Sequence, residues 1–149
     1  MERNRDKTVD VILVRIAEVE ADEMWSYVGN KKNQVWLWWA LDHLTNEPLA
    51  YVFGTKEHVY VDHLRDMLGV YCIIGTFYTD GNPAYQRIVE SDVVQGKENM
   101  QKIEGRHIGL RTWCSRLVRK GIRFSKTLQM HMIVVGLVIN YWYFGNRFW

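Results

Sequence analysis

The feature that most constrains the fold is the apolar run QVWLWWALD at residues 34–42. A Gly-Asn-Lys-Lys-Asn turn signal at 29–33 precedes it, and a second turn at 43–47 follows it. A short, continuously apolar segment between turns predicts a β-strand that is apolar on both faces. Its tryptophans, Trp36, Trp38 and Trp39, are expected to fill the core and the faces of a sheet rather than to stack on nucleic-acid bases.

The segments around this run predict the rest of a sheet. Residues 22–28 and 48–53 are expected to form strands on either side of it in the chain, the second entering at a proline, and short turns make the three an antiparallel meander. Helical spacing over 59–68 ends at Gly69, the expected C-cap, and 70–78 returns to a buried strand. A strand-helix-strand crossover implies parallel pairing, so the predicted class is α/β, a mixed sheet flanked by helices.

The remaining segments predict mostly helices. Residues 84–90 are expected to form a short helix and 93–94 a short strand. The apolar positions between 100 and 119 follow helical periodicity. Ser125 is the expected N-cap of a last helix that begins near Thr127.

The charge distribution is uneven, although the 149-residue chain has a net charge of only +2. Residues 97–126 sum to +7 and the rest of the chain to −5. Such a segment can be a solvated helix face, but here we favour contact with the DNA backbone, because a series of Lys and Arg neutralises phosphates. The predicted DNA-binding residues are Arg106, Arg111, Lys120 and Lys126.

Cysteine usage and hydropathy predict the compartment. Cys72 and Cys114 are too few for a disulfide framework and too far apart for a local metal pair. Neither a signal peptide nor a membrane-spanning segment is predicted. We therefore expect a soluble protein in a reducing, intracellular setting.

Three carboxylates have positions suited to metal chemistry. Asp22 is expected to open a strand, Asp80 to follow the end of another, and Glu104 to lie on a basic helix. Hard oxygen ligands suit Mg²⁺, and a pair of such ions can clamp both oxygens of an in-line phosphodiester displacement. With seventeen acids in the chain, spacing alone leaves the alternative that these are solvated turn and helix residues.

Several tracts, in order, resemble the catalytic domain of the type-one family of insertion-sequence transposases. They are DEMWSYVG at 22–29, VWLWWALD at 35–42, LAYVFG at 49–54, TDG at 79–81, IE at 103–104, LR at 110–111, RLVRK at 116–120 and FSK at 124–126. The resemblance implies a ribonuclease H-like fold over residues 22–140, with an extension at 1–21 and an aromatic tail at 141–149. It also implies that Asp22, Asp80 and Glu104 form an Asp-Asp-Glu triad that is both catalytic and metal-binding, with two Mg²⁺ ions or Mn²⁺ in their place.

The same resemblance implies a function and partners. The expected function is cleavage of DNA at the ends of a mobile element and transfer of the freed 3′-hydroxyl into target DNA, by an oligomer. An upstream zinc-binding, helix-turn-helix region would recognise the element's ends, from another polypeptide or through a frameshift fusion. The protein would be cytoplasmic and prokaryotic, and nucleoid-associated when it is bound to DNA. The alternatives are a ribonuclease H-like nuclease, or an inactive, truncated relic that regulates by binding DNA or the full-length transposase.

The sequence departs from the family pattern beside Glu104. Where the family usually has Arg and, two positions further, Asn, this chain has Gly105 and His107. His107 shares a helical face with Glu104, so it could contact substrate phosphate or assist proton transfer. An ordinary polar helix residue is the favoured interpretation.

Overall fold

The computed structural model describes residues 16–70, 72–87 and 92–144. Within these ranges the chain forms five strands and three α-helices. They are β1 (Ile16–Tyr27), β2 (Gln34–Asp42), β3 (Pro48–Gly54), α1 (Val59–Gly69), β4 (Ile73–Thr79), β5 (Asp92–Gln95), α2 (Gln101–Trp113) and α3 (Leu128–Phe144). None of the helices in the described part of the chain combines the length and apolar character that a membrane crossing needs.

The strands form one sheet in the order β3-β2-β1-β4-β5. β1, β2 and β3 pair antiparallel, whereas β4 pairs parallel with both β1 and β5. The predicted meander and crossover are confirmed, and β5 includes the predicted strand at 93–94. The fold is therefore ribonuclease H-like, with β1 at the centre of the sheet.

Each face of the sheet is covered by helices. Alternation along a strand sends neighbouring side chains to opposite faces. Trp38 packs on the α1 side with Val19 and Leu64, while Trp39 packs on the α2/α3 side with Ile103 and Val135. Trp38 and Trp39 are fully buried. Their predicted core role is confirmed, since burial on both faces excludes stacking on bases.

A buried polar cluster fixes α3 to the end of β1. His131 is 1% exposed; its Nε2 lies 2.9 Å from Ser26 Oγ and its Nδ1 lies 2.8 Å from Ser125 Oγ. Arg116 donates to Ser125 Oγ, and the backbone N–H of Gly29 donates to the Ser125 carbonyl. We call Ser26, Ser125 and His131 the anchor cluster, because it joins β1 to α3 and to the loop before it.

The structure differs from several predicted features of β1 and α3. β1 begins at Ile16, so Asp22 lies inside the strand instead of opening it, and residues 16–21 belong to the sheet instead of an extension. Ser125 is not the cap of α3, because its hydroxyl is committed to His131; Thr127 Oγ1 accepts the N–H of Met130 instead. α3 continues past 140 to Phe144, into the predicted tail.

Other boundaries differ by a few residues. β4 begins at Ile73 instead of 70, and Gly69 is the last residue of α1 instead of its cap. The segment 100–119 is not one helix: α2 ends at Trp113, and a 3₁₀ turn follows at Ser115–Leu117. Of the predicted helix at 84–90, a 3₁₀ turn covers Pro83–Arg87, and residues 88–90 lie outside the described residues.

Candidate active site

The start of α2 is set by a carboxylate on β1. Glu20 is 1% exposed; its Oε2 accepts the backbone N–H of Ile103 at 3.0 Å, and its Oε1 accepts His43 Nδ1–H at 2.7 Å. The N-cap residue of α2, Met100, has no side-chain oxygen with which to satisfy these first N–H groups. Glu20 therefore replaces the cap and holds the first turn of α2, which contains Glu104, against β1.

Asp22 lies two residues further along the same face of β1. It is a register partner of Trp39 on β2, and its Oδ1 accepts the N–H of Glu23 at 2.9 Å. Burial raises the pKa of Asp22 from 3.8 to about 7, and the negative charges of Glu23, Asp80 and Glu104 contribute to the rise. The Asp22 carboxyl is therefore partly protonated near neutral pH.

Asp80 directly follows β4, which is parallel to β1. Glu20 pairs with Tyr78, so the same register carried two residues further brings Asp80 level with Asp22. The backbone N–H of Asn82 donates to Asp80 Oδ1 at 3.0 Å, and Asn82 Nδ2 donates to Glu23 Oε1 at 2.6 Å. Tyr85 donates to the other oxygen of Glu23 at 3.1 Å. These hydrogen bonds join the turn to β1 on the face of the sheet opposite to Asp22.

The three predicted triad carboxylates thus share one end of the sheet. Asp80 and Glu104 are exposed, yet both act on the pKa of Asp22 through their charges. Within the described residues, no three His, Cys, Asp or Glu side chains already converge tightly enough to hold an ion. The donor chemistry fits a hard divalent cation, but side-chain movement is needed to complete its ligand set.

His107 connects this site to the core. It is 7% exposed, stacks on Trp39 with ring centroids 5.6 Å apart, and accepts Trp39 Nε1–H on Nε2 at 2.8 Å. Its Nδ1 lies 3.6 Å from Asp22 Oδ2. Burial, and secondarily the charge of Arg111, lowers the pKa of His107 to about 3, so the ring is neutral at physiological pH.

The basic residues separate into different positions. Arg111 lies near both Asp22 and Arg119: the charge of Asp22 raises the pKa of Arg111, and the charge of Arg119 lowers it. Arg119 itself lies 4.5 Å from the centroid of the Trp25 ring. We call Arg111 and Arg119 the cationic pair. Arg106 instead donates to the carbonyl and side-chain oxygens of Asn46 in the turn after β2.

The two predicted DNA-binding lysines lie in the segment that follows α2. Lys120 is exposed beyond the 3₁₀ turn that follows α2. Lys126 is also exposed and covers the ring of Phe124, with Nζ 3.9 Å from the ring centroid. Their ammonium groups are therefore accessible to a polyanion.

Comparison with known proteins identifies the family. A family model described as IS1 transposase matches residues 14–145, nearly the whole chain. The chain belongs to the IS1 transposase family. It is 34% identical over 122 residues to the insertion element IS1 protein InsB of Shigella flexneri, covering 81% of this chain and 92% of that protein. An InsB of Escherichia coli is 35% identical, covering 81% and 72%.

Solved structures support the same fold class. The catalytic core domain of BIV integrase has a TM-score of 0.56 at 9% identity, covering 84% of this chain and 82% of that one. A chain from the simian T-cell lymphotropic virus intasome has a TM-score of 0.53 at 14% identity, covering 90% and 51%. The described domain is thus a DNA transposase catalytic domain of the IS1 family with an integrase-like fold.

IS1-family membership places this domain among enzymes that cleave and join DNA, that generally use divalent metals and that act on DNA as oligomers. Sequence reasoning missed three contributors to the site: Glu20 as the cap of α2, the indole N–H of Trp39, and Arg119 above Trp25. Each acts through a contact with a residue distant in sequence, so local patterns gave no signal for it.

Proposed function

We propose that this chain catalyses metal-dependent cleavage of DNA at the ends of an insertion element and joins the freed 3′ ends to target DNA, with Asp22, Asp80 and Glu104 as the catalytic carboxylates. The observation that supports this most directly is their electrostatic coupling. Asp80 at the end of β4 and Glu104 in the first turn of α2 both act through their charges on Asp22 of β1, at one end of the sheet. Like charges brought together in this way favour binding of a cation.

In this proposal the three carboxylates hold two Mg²⁺ ions, or Mn²⁺ in their place. When bound, such ions activate the attacking water or hydroxyl and stabilise the leaving oxygen of an in-line displacement. Asp22 gives up its proton near neutral pH, and the backbone N–H of Glu23 keeps its Oδ1 in place. No side chain forms a covalent bond to DNA.

DNA contact is assigned to the basic surface beside the carboxylates. The cationic pair neutralises phosphates close to Asp22, while Lys120 and Lys126 extend the contact along the exposed loop. Arg106, held by Asn46, supports the turn after β2 and reaches phosphate only if those bonds exchange. Recognition of the element's ends is assigned to a zinc-binding, helix-turn-helix region on another polypeptide or joined by frameshifting, and the active complex to an oligomer at the nucleoid.

The test is Asp80→Asn in the full chain, assayed on labelled duplexes that carry element ends. Mg²⁺-dependent nicking and joining should be lost, while DNA affinity stays equal or rises because a negative charge is removed. Asp66→Asn is the matched control, since Asp66 is an exposed carboxylate on α1 paired with Arg65. Nicking retained by Asp80→Asn, or lost equally in the control, would contradict the assignment.

A regulator without chemistry is the second candidate. It is favoured by the need for side-chain movement before three ligands converge within the described residues. If the recognition region is supplied and the chain binds DNA but nicks none in Mg²⁺ or Mn²⁺, with wild type and Asp80→Asn alike, that result would support it. Cleavage without joined products would instead indicate a nuclease.

A further inference from the structure

His107 lies between a core tryptophan, Trp39, and Asp22, the most buried carboxylate of the proposed triad. Trp39 and Asp22 are register partners on neighbouring strands, so their side chains stand side by side on the face that α2 covers. The ring of His107 stacks nearly parallel to Trp39, with an interplanar angle of 14°. Two strands and one helix therefore converge on this one imidazole.

The hydrogen bond from Trp39 fixes the tautomer of His107. An indole N–H can only donate, so His107 Nε2 must be the unprotonated acceptor of the 2.8 Å bond. In the neutral ring the proton is then on Nδ1, the nitrogen that faces Asp22 Oδ2. The buried side chains of His107 and Asp22, 9% and 15% exposed, limit competition from water.

The separation of 3.6 Å is a few tenths of an ångström beyond a direct hydrogen bond. A small rotation of the carboxylate closes it, and such bonds commonly tighten when the site is filled. The other oxygen, Oδ1, already accepts the N–H of Glu23. A carboxylate has about four acceptor positions, so one donor on each oxygen leaves room for a cation.

We propose that His107 is a positioning residue, which holds the Asp22 carboxylate through Nδ1–H while Trp39 fixes the tautomer and plane of its ring. This inference rests on the proposed function, since it makes Asp22 a metal ligand. Carboxylate ligands are commonly oriented by such outer partners, whose loss weakens metal binding. His107 itself binds no metal, because one nitrogen is used by Trp39 and the other carries a proton.

Two substitutions separate the two nitrogens. The amide of His107→Asn can place an N–H near the position of Nδ1, whereas the longer His107→Gln places its amide near Nε2 and keeps the Trp39 bond. Mn²⁺ affinity, measured by calorimetry on the full chain without DNA, should stay close to wild type in His107→Asn and fall about 10- to 100-fold in His107→Gln. Equal affinities in both variants, or a loss confined to His107→Asn, would overturn the proposal.

A spectroscopic measurement on wild-type His107 tests the proposal without relying on His107 variants, which could fail to fold. Imidazole ¹⁵N resonances should report a protonated Nδ1 and an unprotonated Nε2, and Asp22→Asn should shift the Nδ1 signal. A proton on Nε2, or an Nδ1 signal indifferent to Asp22→Asn, overturns the proposal whatever the metal data. If Mn²⁺ binding and the resonances follow the expected pattern but no DNA is cleaved or joined, the proposed function fails and the positioning role stands.

Discussion

Two buried histidines on neighbouring helices contact the same face of β1, yet they differ in their partners. His107 on α2 faces the carboxylate of Asp22, whereas His131 on α3 lies between the hydroxyls of Ser26 and Ser125. Burial lowers the pKa of both rings, and a nearby arginine adds to the effect in each case. The two rings are therefore alike in their burial and in having an arginine nearby.

The difference lies in whether the partner can ionise. Asp22 is a titratable group close to two exposed carboxylates, so the position of His107 beside it bears on a site that a cation can reach. The serines of the anchor cluster are buried in the core, with Ser26 2% exposed and Ser125 0% exposed. A buried histidine with a shifted pKa is thus not by itself a sign of chemistry, and the comparison assigns His107 to the site and His131 to the fold.

The largest expected effect is on stability, through the anchor cluster. His131→Ala removes a partner from two buried hydroxyls and leaves a cavity, so the free energy of unfolding should fall by about 3 kcal/mol. Urea unfolding of the full chain measures this loss. Nicking per folded molecule should change little, because no triad carboxylate contacts His131.

The matched control is His63→Ala, which removes an exposed ring on α1 and should change stability by less than about 0.5 kcal/mol. A His131→Ala protein that unfolds like wild type but no longer cleaves DNA would reverse the assignment. His131 would then belong with the site.

The next effect is on the pH dependence of stability. The pKa of His107 falls from 6.5 to about 3 on folding, so the unfolded chain binds the extra proton and stability rises with pH between these values. The pKa of Asp22 rises from 3.8 to about 7, so the folded chain binds the extra proton and stability falls with pH. Between pH 3.8 and 6.5 the two slopes oppose each other.

Asp22→Asn removes only the opposing slope. Between pH 3.8 and 6.5, its free energy of unfolding should rise with pH more steeply than that of wild type, by about 1.4 kcal/mol per pH unit at most. Urea unfolding at several pH values gives both slopes. Ile16→Ala, an exposed apolar residue on the same strand, is the control and should leave the wild-type slope unchanged. Parallel curves for Asp22→Asn and wild type would mean that the two titrations do not oppose each other.

The sheet could be predicted from sequence because its strands are bounded by turns and their apolar pattern is local. The start of β1 was not predicted, although Ala17, Val19 and Ala21 alternate with Glu18, Glu20 and Asp22. That alternation indicates a strand whose acids face solvent. Glu20 is buried only because it caps α2, more than eighty residues away in the chain. A tertiary contact there overrides the local preference of a charged residue for solvent.

The site was partly predictable, because its motif residues could be recognised in the sequence and its tertiary contacts could not. Family resemblance indicated Asp22, Asp80 and Glu104, and parallel pairing of β1 with β4 explains why the two aspartates meet. His107 was favoured as an ordinary polar helix residue, because its partner Trp39 lies on a strand that only the folded sheet brings next to Asp22. The weakly amphipathic α2, with two glycines, did not indicate which of its faces is buried.

The smallest expected effect separates two arginines that lie three residues apart. Arg119 covers Trp25 beside Arg111 and the site, whereas Arg116 donates into the anchor cluster. If Arg119 contacts a phosphate, Arg119→Ala should weaken DNA binding several-fold for all sequences and reduce the slope of log affinity against log salt by about 1. Fluorescence anisotropy over a series of salt concentrations measures both quantities.

Arg116→Ala provides the contrast within the same segment. It should keep the wild-type salt slope and lower stability by about 1 kcal/mol, because Ser125 loses a charged donor. The two variants remove the same charge, so long-range attraction to DNA is weakened equally in both. A salt slope that falls by the same amount in each variant would show that only the total charge matters. The contrast between the site and the anchor cluster would then not extend from the two histidines to these two arginines.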